Sequence, residues 1–507
     1  MLKRNSLWNS IGGMLGVTVF SQLVAFVRES VFAYYYGVGC ETDAYIMASQ
    51  IPIILFAVVG TAINTVLLPI YTEQKEKTGK DGANSFLKSF SIIFIIVMLV
   101  VISSVEFMAD IVVKIFAPHF SGELLALTIQ YTRILFPTVI LTGIINIYTA
   151  SYNANNQFLF PLSAALLQNI TLIVSMVVFS GRIGAWAAIW GTVLGIVLNM
   201  LVIAAFKIEI LKVDIDIGST WQNIKKALYR VVPITLGVGI AEINRIIDKA
   251  IASGLAEGSI SALNYANKLT TVLASLILSA VSSVAFKQFT EDYVKQDNEN
   301  RNCTLNQYLS ILIAILCPIT IGAIILKKEF IIMAFGRGAF GEKAVIQTVE
   351  VFQYYILGIV FIAVREILSK FIYSTGDTKT PMINSGISVI INLILNIVLS
   401  KYLKAGGLAL ATTISGIVAC VLLLISVWKK EEFFSLANLR RNLVFIAVAS
   451  LGMTIVLLYV NYIVGFQYYI LKMLFNLIIG ATVYFLILLL ISKTLIRDIL
   501  QTLFQRF

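Results

Sequence analysis

The chain has few charged residues for its length. Of its 507 residues, 13% are charged and 59% are hydrophobic. Soluble domains carry about one quarter charged residues, so a soluble protein of this composition could not cover its surface with polar groups. The composition therefore argues against a soluble fold and predicts an integral membrane protein.

Histidine and cysteine are also scarce. His119 is the single histidine, and the cysteines Cys40, Cys303, Cys317 and Cys420 lack metal-binding or redox spacing. This argues against zinc, haem and histidine-based acid–base chemistry, and no cofactor is expected from these residue types. A membrane glycosyltransferase is disfavoured as well, because no long loop carries a cluster of carboxylates or histidine.

The net charge of +11 comes largely from lysines and arginines in short loops between apolar runs. This distribution sets membrane orientation and argues against nucleic-acid binding. The basic loops lie near 73–85, 207–223, 288–303 and 429–439, whereas loops 38–42 and 464–467 contain no lysine or arginine. The asymmetry predicts that both termini are cytoplasmic.

The apolar runs predict fourteen transmembrane helices, since a bilayer core needs roughly 20 apolar residues per helix. The predicted spans are 8–37, 43–72, 86–113, 124–150, 159–180, 184–206, 224–253, 259–287, 304–326, 346–375, 382–403, 407–428, 440–463 and 468–496. The fold class predicted is therefore an all-α polytopic membrane protein.

An internal repeat relates the second and eighth spans. Residues 44–73 align without gaps with 262–291, and upstream, with one residue of slippage, Arg28 faces Arg245. The stretch "YNANNQFLFP" (152–161) also resembles "YSTGDTKTP" (373–381). An even number of spans separates the copies, which predicts two parallel six-helix lobes, as in transporters built from two like halves. The predicted domains are lobes 1–215 and 216–430, followed by two further helices in 431–507.

Arg28 and Glu29 stand side by side in the first span, where no other charge lies between Arg4 and Arg28. An ionisable group within a span costs a few kcal/mol and normally faces a cavity or a partner. Adjacent helical residues point roughly 100° apart, so Glu29 alone is not expected to satisfy Arg28 fully. A buried ion pair that fixes helix packing is one interpretation. The favoured one is a water-filled cavity between the lobes with a cationic floor, to which Lys268 in the eighth span contributes.

A cationic cavity indicates an anionic substrate, because arginine matches phosphate oxygens and lysine supplies a mobile charge. It argues against an exporter of cationic drugs, and a non-transporting scaffold would not need these charges. The last two spans either stabilise the fold or a partner contact, or form a groove for a lipid tail.

Several motifs together resemble one family. They are "AFVRESVFAYYYGVGCETDAY" (25–45), "IPIILFAVVGTAINTVLLPIY" (51–71), "GSISALNYANKL" (258–269), "FGRGAF" (335–340) and "YSTGDTKTP" (373–381). They resemble the MurJ/MviN family of lipid II flippases, within the multidrug/oligosaccharidyl-lipid/polysaccharide exporter superfamily. The resemblance runs from about residue 8 to 430 and extends to the two extra C-terminal helices.

The resemblance implies a bacterial inner-membrane flippase, not an enzyme, that moves undecaprenyl-diphosphate-linked peptidoglycan precursor outward by alternating access. It places the family's basic–acidic pair on Arg28 and Glu29, its acidic residue at the start of helix 2 on Asp43, and its basic residue of helix 8 on Lys268. The implied partners are lipid II and membrane lipids, with cell-wall synthases as further candidates. A monomer is expected.

Some members of this family carry a sodium site. The resemblance places it at Asp248, Asn392, Asn396, Leu408 and Thr412. Oxygen ligands suit a hard cation, which would act as a coupling ion. Asn392 and Asn396 share one helix face at i, i+4, and interhelical hydrogen bonding is the alternative reason for such a pair.

Two positions depart from the family pattern. Gln22 and Phe56 stand where the family often has arginine. A less basic cavity leaves open another polyprenyl-diphosphate-linked saccharide as substrate, or an ion-coupled exporter of small molecules from the same superfamily.

Overall fold

The computed structural model describes residues 2–207, 209–430, 436–464 and 469–497. Within these ranges the chain forms helices joined by short turns and contains no strand. A helix satisfies its backbone hydrogen bonds within one segment, which is what a chain in lipid requires. The predicted all-α class is confirmed.

The helices of the described residues follow in chain order. They are α1 (Leu2–Tyr36), α2 (Cys40–Phe107), α3 (Ala109–Phe116), α4 (Gly122–Leu135), α5 (Thr138–Ala154), α6 (Leu159–Ala164), α7 (Leu166–Ile183), α8 (Trp186–Ala205), α9 (Glu209–Lys212), α10 (Ile217–Ala252), α11 (Ser259–Val294), α12 (Asn298–Ile325), α13 (Lys327–Phe335), α14 (Glu342–Leu357), α15 (Ile359–Ser374), α16 (Lys379–Lys430), α17 (Leu436–Ile463) and α18 (Tyr469–Ile491).

Among the described residues, nine helices are long and apolar enough to cross a membrane, or ten if the bent α11 counts as one span. The chain is therefore a multi-pass membrane protein. Two of the nine, α2 with 68 residues and α16 with 52, are interrupted by non-helical backbone at Gly79 and Lys404 respectively. The count of fourteen spans stays a prediction.

The first compact unit contains residues up to Ser261 together with Gly338–Phe340. Here α2 packs against α4, α5 and α10, and α7 packs against α1 and α8. Its largest described core joins side chains of α2, α5 and α8, among them Leu67, Tyr71 and Ile147. Helix α10 contacts α2 and lies in this unit.

The second compact unit contains Ala262–Arg337 and the chain from Gly341 onward. Here α12 packs against α15 and α17, and α17 packs against α18. The hydroxyl of Tyr484 in α18 donates a hydrogen bond to the Ala314 carbonyl at 2.8 Å, within an apolar core of α12, α17 and α18. The final helices are thus anchored to α12, and the predicted lobe boundaries stay a prediction.

Candidate functional site

Arg28 and Glu29 form a direct ion pair in α1. The Arg28 Nη2 atom lies 2.5 Å from Glu29 Oε1, and Glu29 is buried while Arg28 keeps 27% of its side chain exposed. The long arginine side chain bridges the angle between adjacent helical positions. Arg28 and Glu29 are therefore paired, and part of the arginine side chain remains exposed.

Asn169 in α7 is the second partner of Arg28. Its side-chain oxygen accepts a hydrogen bond from Arg28 Nη1 at 2.8 Å. Two acceptors thus orient one guanidinium, which agrees with the expectation that Glu29 alone does not satisfy it. Sequence reasoning did not select Asn169, although a polar amide inside the apolar fifth span was the available signal.

Aromatic and hydroxyl contacts support the ion pair from the side of α2 and α8. The Phe32 and Tyr45 rings lie 4.7 Å apart, and the Tyr45 hydroxyl is 2.9 Å from the Thr192 hydroxyl. One helical turn further on, the Tyr36 hydroxyl lies 2.6 Å from that of Ser180. These contacts fix α1 against α2 and α7, and α2 against α8, and so fix the position of Arg28.

Asp43, at the start of α2, caps the start of α11. Its Oδ2 atom accepts from the Gly258 backbone N–H at 2.8 Å, and its Oδ1 atom accepts from the Ser261 backbone N–H at 2.7 Å and from the Ser261 hydroxyl at 2.5 Å. The first N–H groups of a helix lack partners within the helix, and a carboxylate there is also favoured by the helix dipole. Both oxygens of the buried Asp43 are therefore already used in this conformation.

Two of the recognised motifs meet at the end of α1. The Ala339 backbone N–H, in the "FGRGAF" loop, donates to the Tyr34 carbonyl at 2.8 Å. Gly37 and Gly338 both have positive φ; a Cβ on Gly37 would lie 2.4 Å from the Ala339 oxygen, and one on Gly338 would lie 2.3 Å from the Tyr34 oxygen. Glycine is required at both positions for the backbones to approach.

Lys268 belongs to α11 in the second unit, and its side chain is exposed. Among the described residues, no carboxylate forms an ion pair with it. Its charge is thus not neutralised locally, in contrast to that of Arg28.

The two departures from the family pattern have different surroundings. Phe56 is buried in the core of the first unit, where its ring lies 6.3 Å from that of Phe94 in an edge-on arrangement. An arginine here would need a polar partner in place of Phe94. Gln22 is partly buried in α1. An apolar core contact thus accounts for the residue at position 56.

The residues proposed for sodium divide between the units. Asp248 lies in α10 of the first unit, with Asn244 donating to it at the long distance of 3.5 Å. In the second unit the buried Asn392 and Asn396 share a hydrogen bond of 3.0 Å, and Asn392 also contacts the Ser415 hydroxyl at 3.3 Å. The first of these bonds lies within one helical segment, and the second joins the two segments of α16 on either side of Lys404.

The remaining two proposed ligands lie in the same part of α16. The Thr412 hydroxyl donates to the Leu408 carbonyl at 3.0 Å, and the Thr412 carbonyl accepts from Ser415 at 2.9 Å. The candidate cation ligands in the second unit are uncharged. They are amide, hydroxyl and carbonyl oxygens, of the type that a hard cation accepts. Asp248 is the single carboxylate of the proposed set.

A family model described as "Lipid II flippase MurJ" matches residues 32–479 of the chain. The chain belongs to the MurJ family. Curated relatives in this family include a probable lipid II flippase MurJ of Rhizobium tropici, 25% identical over 462 residues that cover 88% of this chain and 86% of the relative. The lipid II flippase MurJ of Burkholderia cenocepacia is 25% identical over 442 residues, which cover 84% of each chain.

Solved structures agree with the family assignment. A lipid II flippase MurJ in an inward closed conformation superposes with a TM-score of 0.82 at 26% identity, covering 95% of this chain and 99% of that one. An inward-facing MATE multidrug-resistance transporter of the MOP superfamily gives a TM-score of 0.70 at 12% identity, covering 82% of this chain and 95% of that one, which shows a shared fold. The MurJ-family chain is therefore of a transporter family rather than a catalytic one.

Proposed function

We propose that this protein is a lipid II flippase that carries the undecaprenyl-diphosphate-linked peptidoglycan precursor from the inner to the outer leaflet by alternating access. The observation that carries the proposal is Arg28, an arginine oriented by Glu29 and Asn169 in a stretch of α1 that carries no other charge after Arg4, in a MurJ-family chain. An oriented guanidinium offers two parallel N–H donors to phosphate oxygens. A diphosphate is the anionic part of this substrate.

Lys268 supplies a second positive charge in this proposal. Its ammonium group is exposed, and no described carboxylate pairs with it, so it is available to a phosphate. Lysine binds phosphate as a point charge, whereas arginine binds it through a planar fork. Glu29 holds Arg28 in place and reduces its repulsion of other cations.

Substitutions at Lys268 test this role through charge. Lys268→Arg is expected to support growth of cells depleted of their own flippase, because it keeps the positive charge and adds hydrogen-bond donors. Lys268→Glu is expected to abolish growth, because it places a negative charge opposite phosphate. The measurement is complementation, with membrane levels of each variant determined in parallel.

Lys343→Glu is the matched control, because it makes the same charge reversal at an exposed residue of α14 in the same unit. It should complement normally. Equal growth with Lys268→Glu and wild type would remove Lys268 from the substrate site. Failure of the wild-type chain to complement, together with no binding of lipid II, would point instead to another polyprenyl-diphosphate-linked saccharide as the transported molecule.

Fourteen spans with both termini cytoplasmic form the topology that we propose. A helix of 68 residues would be about 100 Å long at about 1.5 Å per residue, more than three times a hydrocarbon core of about 30 Å. The same reasoning applies to α16, and each of these helices has non-helical backbone near its middle. Two membrane spans within α2 and two within α16 therefore agree with the predicted boundaries.

Cysteine labelling tests this orientation. In a background without the native cysteines, Lys77→Cys and Asn438→Cys should react with a membrane-impermeant thiol reagent after permeabilisation. Ser121→Cys should react in intact cells. Lys77 is preferred to the adjacent Gly79, whose φ of 75° disfavours a side chain. Labelling of position 77 in intact cells would reverse the proposed orientation.

We further propose that α17 and α18 hold the lipid tail and that the lobes form a parallel repeat. Support comes from the apolar surface that these two helices keep exposed while α12 anchors them, including Leu451, Ile455 and Ile478. A chain of isoprene units needs such a surface. A monomer and a contact with cell-wall synthases complete the proposal.

A sodium ion as coupling ion is the last part of the proposal. The observation in its favour is a carboxylate, Asp248, together with buried amide and hydroxyl oxygens of the type that a hard cation accepts. Sodium that binds the folded protein should raise the temperature of unfolding as its concentration rises. Asp248→Asn should remove this dependence.

The control for this experiment is potassium at equal ionic strength, which separates specific binding from screening. Asp377→Asn is a second control, because it removes a carboxylate at a distance from the proposed ligands in the sequence. A wild-type response to sodium that equals the response to potassium, or one that persists in Asp248→Asn, would contradict sodium coupling.

A further inference from the structure

A cavity of about 560 Å³ lies in the first unit where α5 and α8 end beside the bend of α2. Two lysines, Lys80 and Lys207, line it together with Glu209. Its remaining wall is mostly aromatic and apolar, formed by Tyr152, Phe158–Phe160 and Phe206, with the polar residues Asn156 and Gln157 beside them. The cavity thus joins positive charge to an apolar surface.

Lys207 is held in position by the aromatic wall. Its ammonium lies 4.6 Å from the centre of the Tyr152 ring, and that ring is fixed because its hydroxyl donates to the Ile203 carbonyl at 3.0 Å. The Phe160 ring lies 4.9 Å from Tyr152 and 5.0 Å from Phe206. The Lys207 ammonium therefore has a fixed position against an aromatic surface.

The charges around Lys207 compensate it only in part. Lys80 is paired with Glu209, and nearby Lys75 donates to the Asn155 side-chain oxygen at 2.6 Å. Among the described residues, no carboxylate forms an ion pair with Lys207. Burial lowers the pKa of Lys207, the positive charge of Lys80 lowers it further, and the carboxylate of Glu209 opposes these effects in part. An anion in the cavity would oppose both effects.

The corresponding turn in the second unit, which precedes α16, contains an acid that neutralises a lysine. Both turns place proline at the third position of the next helix, Pro161 in α6 and Pro381 in α16. Four residues before Pro381 stands Asp377, which accepts a hydrogen bond of 2.6 Å from Lys430 at the end of α16. That bond holds the pKa of Asp377 well below its usual range.

In the first unit, the residue four positions before Pro161 is Gln157, which is neutral and lines the cavity. The lysine after the next two membrane helices, Lys207, therefore has no acid at the position of Asp377, and the nearby carboxylate of Glu209 is paired with Lys80. An aspartate at position 157 would neutralise Lys207 as Asp377 neutralises Lys430. The first unit thus has an open cavity at the turn where the second unit has the Asp377–Lys430 ion pair.

We propose that this cavity binds a phosphate group between Lys207 and Lys80, with the apolar part of the ligand against Phe160 and Phe206. Phe206 is 72% exposed at the rim, which suits an acyl chain that continues into the bilayer. The shared chemistry is a phosphate, carried by an anionic phospholipid or free in solution as diphosphate. Basic pockets beside membrane helices bind lipid headgroups in this way. The site is separate from Arg28 and does not depend on substrate transport.

Binding of three probes to the purified full-length protein tests the proposal. Native mass spectrometry should show tighter binding of dioleoyl-phosphatidylglycerol than of dioleoyl-phosphatidylcholine, and calorimetry should report any binding of inorganic diphosphate. Loss of one charge-assisted contact is expected to weaken phosphatidylglycerol binding about ten-fold in Lys207→Gln. Gln157→Asp should weaken it similarly, because it supplies the acid present in the second unit.

Lys212→Gln is the matched control, since it removes the same charge from an exposed residue outside the cavity lining. Its affinity should equal that of wild type, and the melting temperatures of all variants should agree. Dependence on Lys207 for diphosphate alone would identify a soluble ligand. Affinities for phosphatidylglycerol and diphosphate that are unchanged in both Lys207→Gln and Gln157→Asp would overturn the proposal.

Discussion

Arg28→Ala is expected to abolish complementation of a flippase-depleted cell and to weaken lipid II binding about ten- to a hundred-fold. A charge-assisted hydrogen bond contributes about 1.5–3 kcal/mol, and about 1.4 kcal/mol corresponds to a factor of ten in affinity. The guanidinium has two fixed acceptors, Glu29 and Asn169, so it is ordered before substrate arrives. Ordering in advance lowers the entropic cost of binding.

A double substitution separates substrate binding from packing. Arg28→Ala alone leaves the buried Glu29 without its cation, which by itself destabilises a fold. Replacing both, as Arg28→Met with Glu29→Gln, removes the buried charges while keeping side-chain volume, and such replacements are often neutral for stability. A folded double variant that binds no lipid II would support the substrate role. Full complementation by this variant would mean that the pair is structural.

Asn169→Leu provides a graded comparison, because it leaves both charges in place and removes one hydrogen bond to Arg28. Binding should fall less than in Arg28→Ala, since the ion pair with Glu29 still restricts the guanidinium. An effect as large as that of Arg28→Ala would assign Asn169 a direct contact with the substrate.

Asp43→Ala is expected to destabilise this conformation by about 2–6 kcal/mol and to abolish complementation. The substitution leaves the Gly258 and Ser261 backbone N–H groups without their acceptor, and each unsatisfied buried donor costs about 1–3 kcal/mol. Alternating access requires contacts that close one end of the transporter to break during each cycle. A carboxylate with three donors from the start of α11 is suited to such a reversible closure.

The native Cys40 reports on this change. It stands three residues before Asp43, and its backbone N–H donates to the Glu257 side chain at 2.9 Å, next to the same α11 start. With Cys303, Cys317 and Cys420 replaced by serine, Asp43→Ala should increase the rate at which Cys40 reacts with a thiol reagent. Ser261→Ala, which removes the hydroxyl contact and keeps both backbone donors, should give a smaller increase.

Unchanged Cys40 reactivity with lost complementation would place Asp43 in substrate binding rather than in closure. Unchanged reactivity with normal complementation would leave the cap without a role in transport. The first outcome would favour the interpretation from sequence, in which Asp43 contacts substrate, and increased Cys40 reactivity would favour the closure that its hydrogen bonds suggest.

Several features of this protein follow from local sequence properties. Scarcity of charge determined the membrane class, because polar surface is required in water and excluded in lipid. An Arg28–Glu29 pair inside an apolar run indicated a functional position, because charge in such a place has a cost that must be offset. The motifs around these residues indicated the family that the comparisons then confirmed.

The partners of these residues were decided by tertiary structure. Asn169 lies 141 residues from Arg28, and Ser261 lies 218 residues from Asp43, so helical periodicity gives the face of each side chain but not the helix opposite. For the same reason the sequence could not reveal that Phe56 packs on Phe94, or that the Tyr34 carbonyl receives the Ala339 N–H. Contact between distant segments depends on how helices pack, which the period of a single helix does not encode.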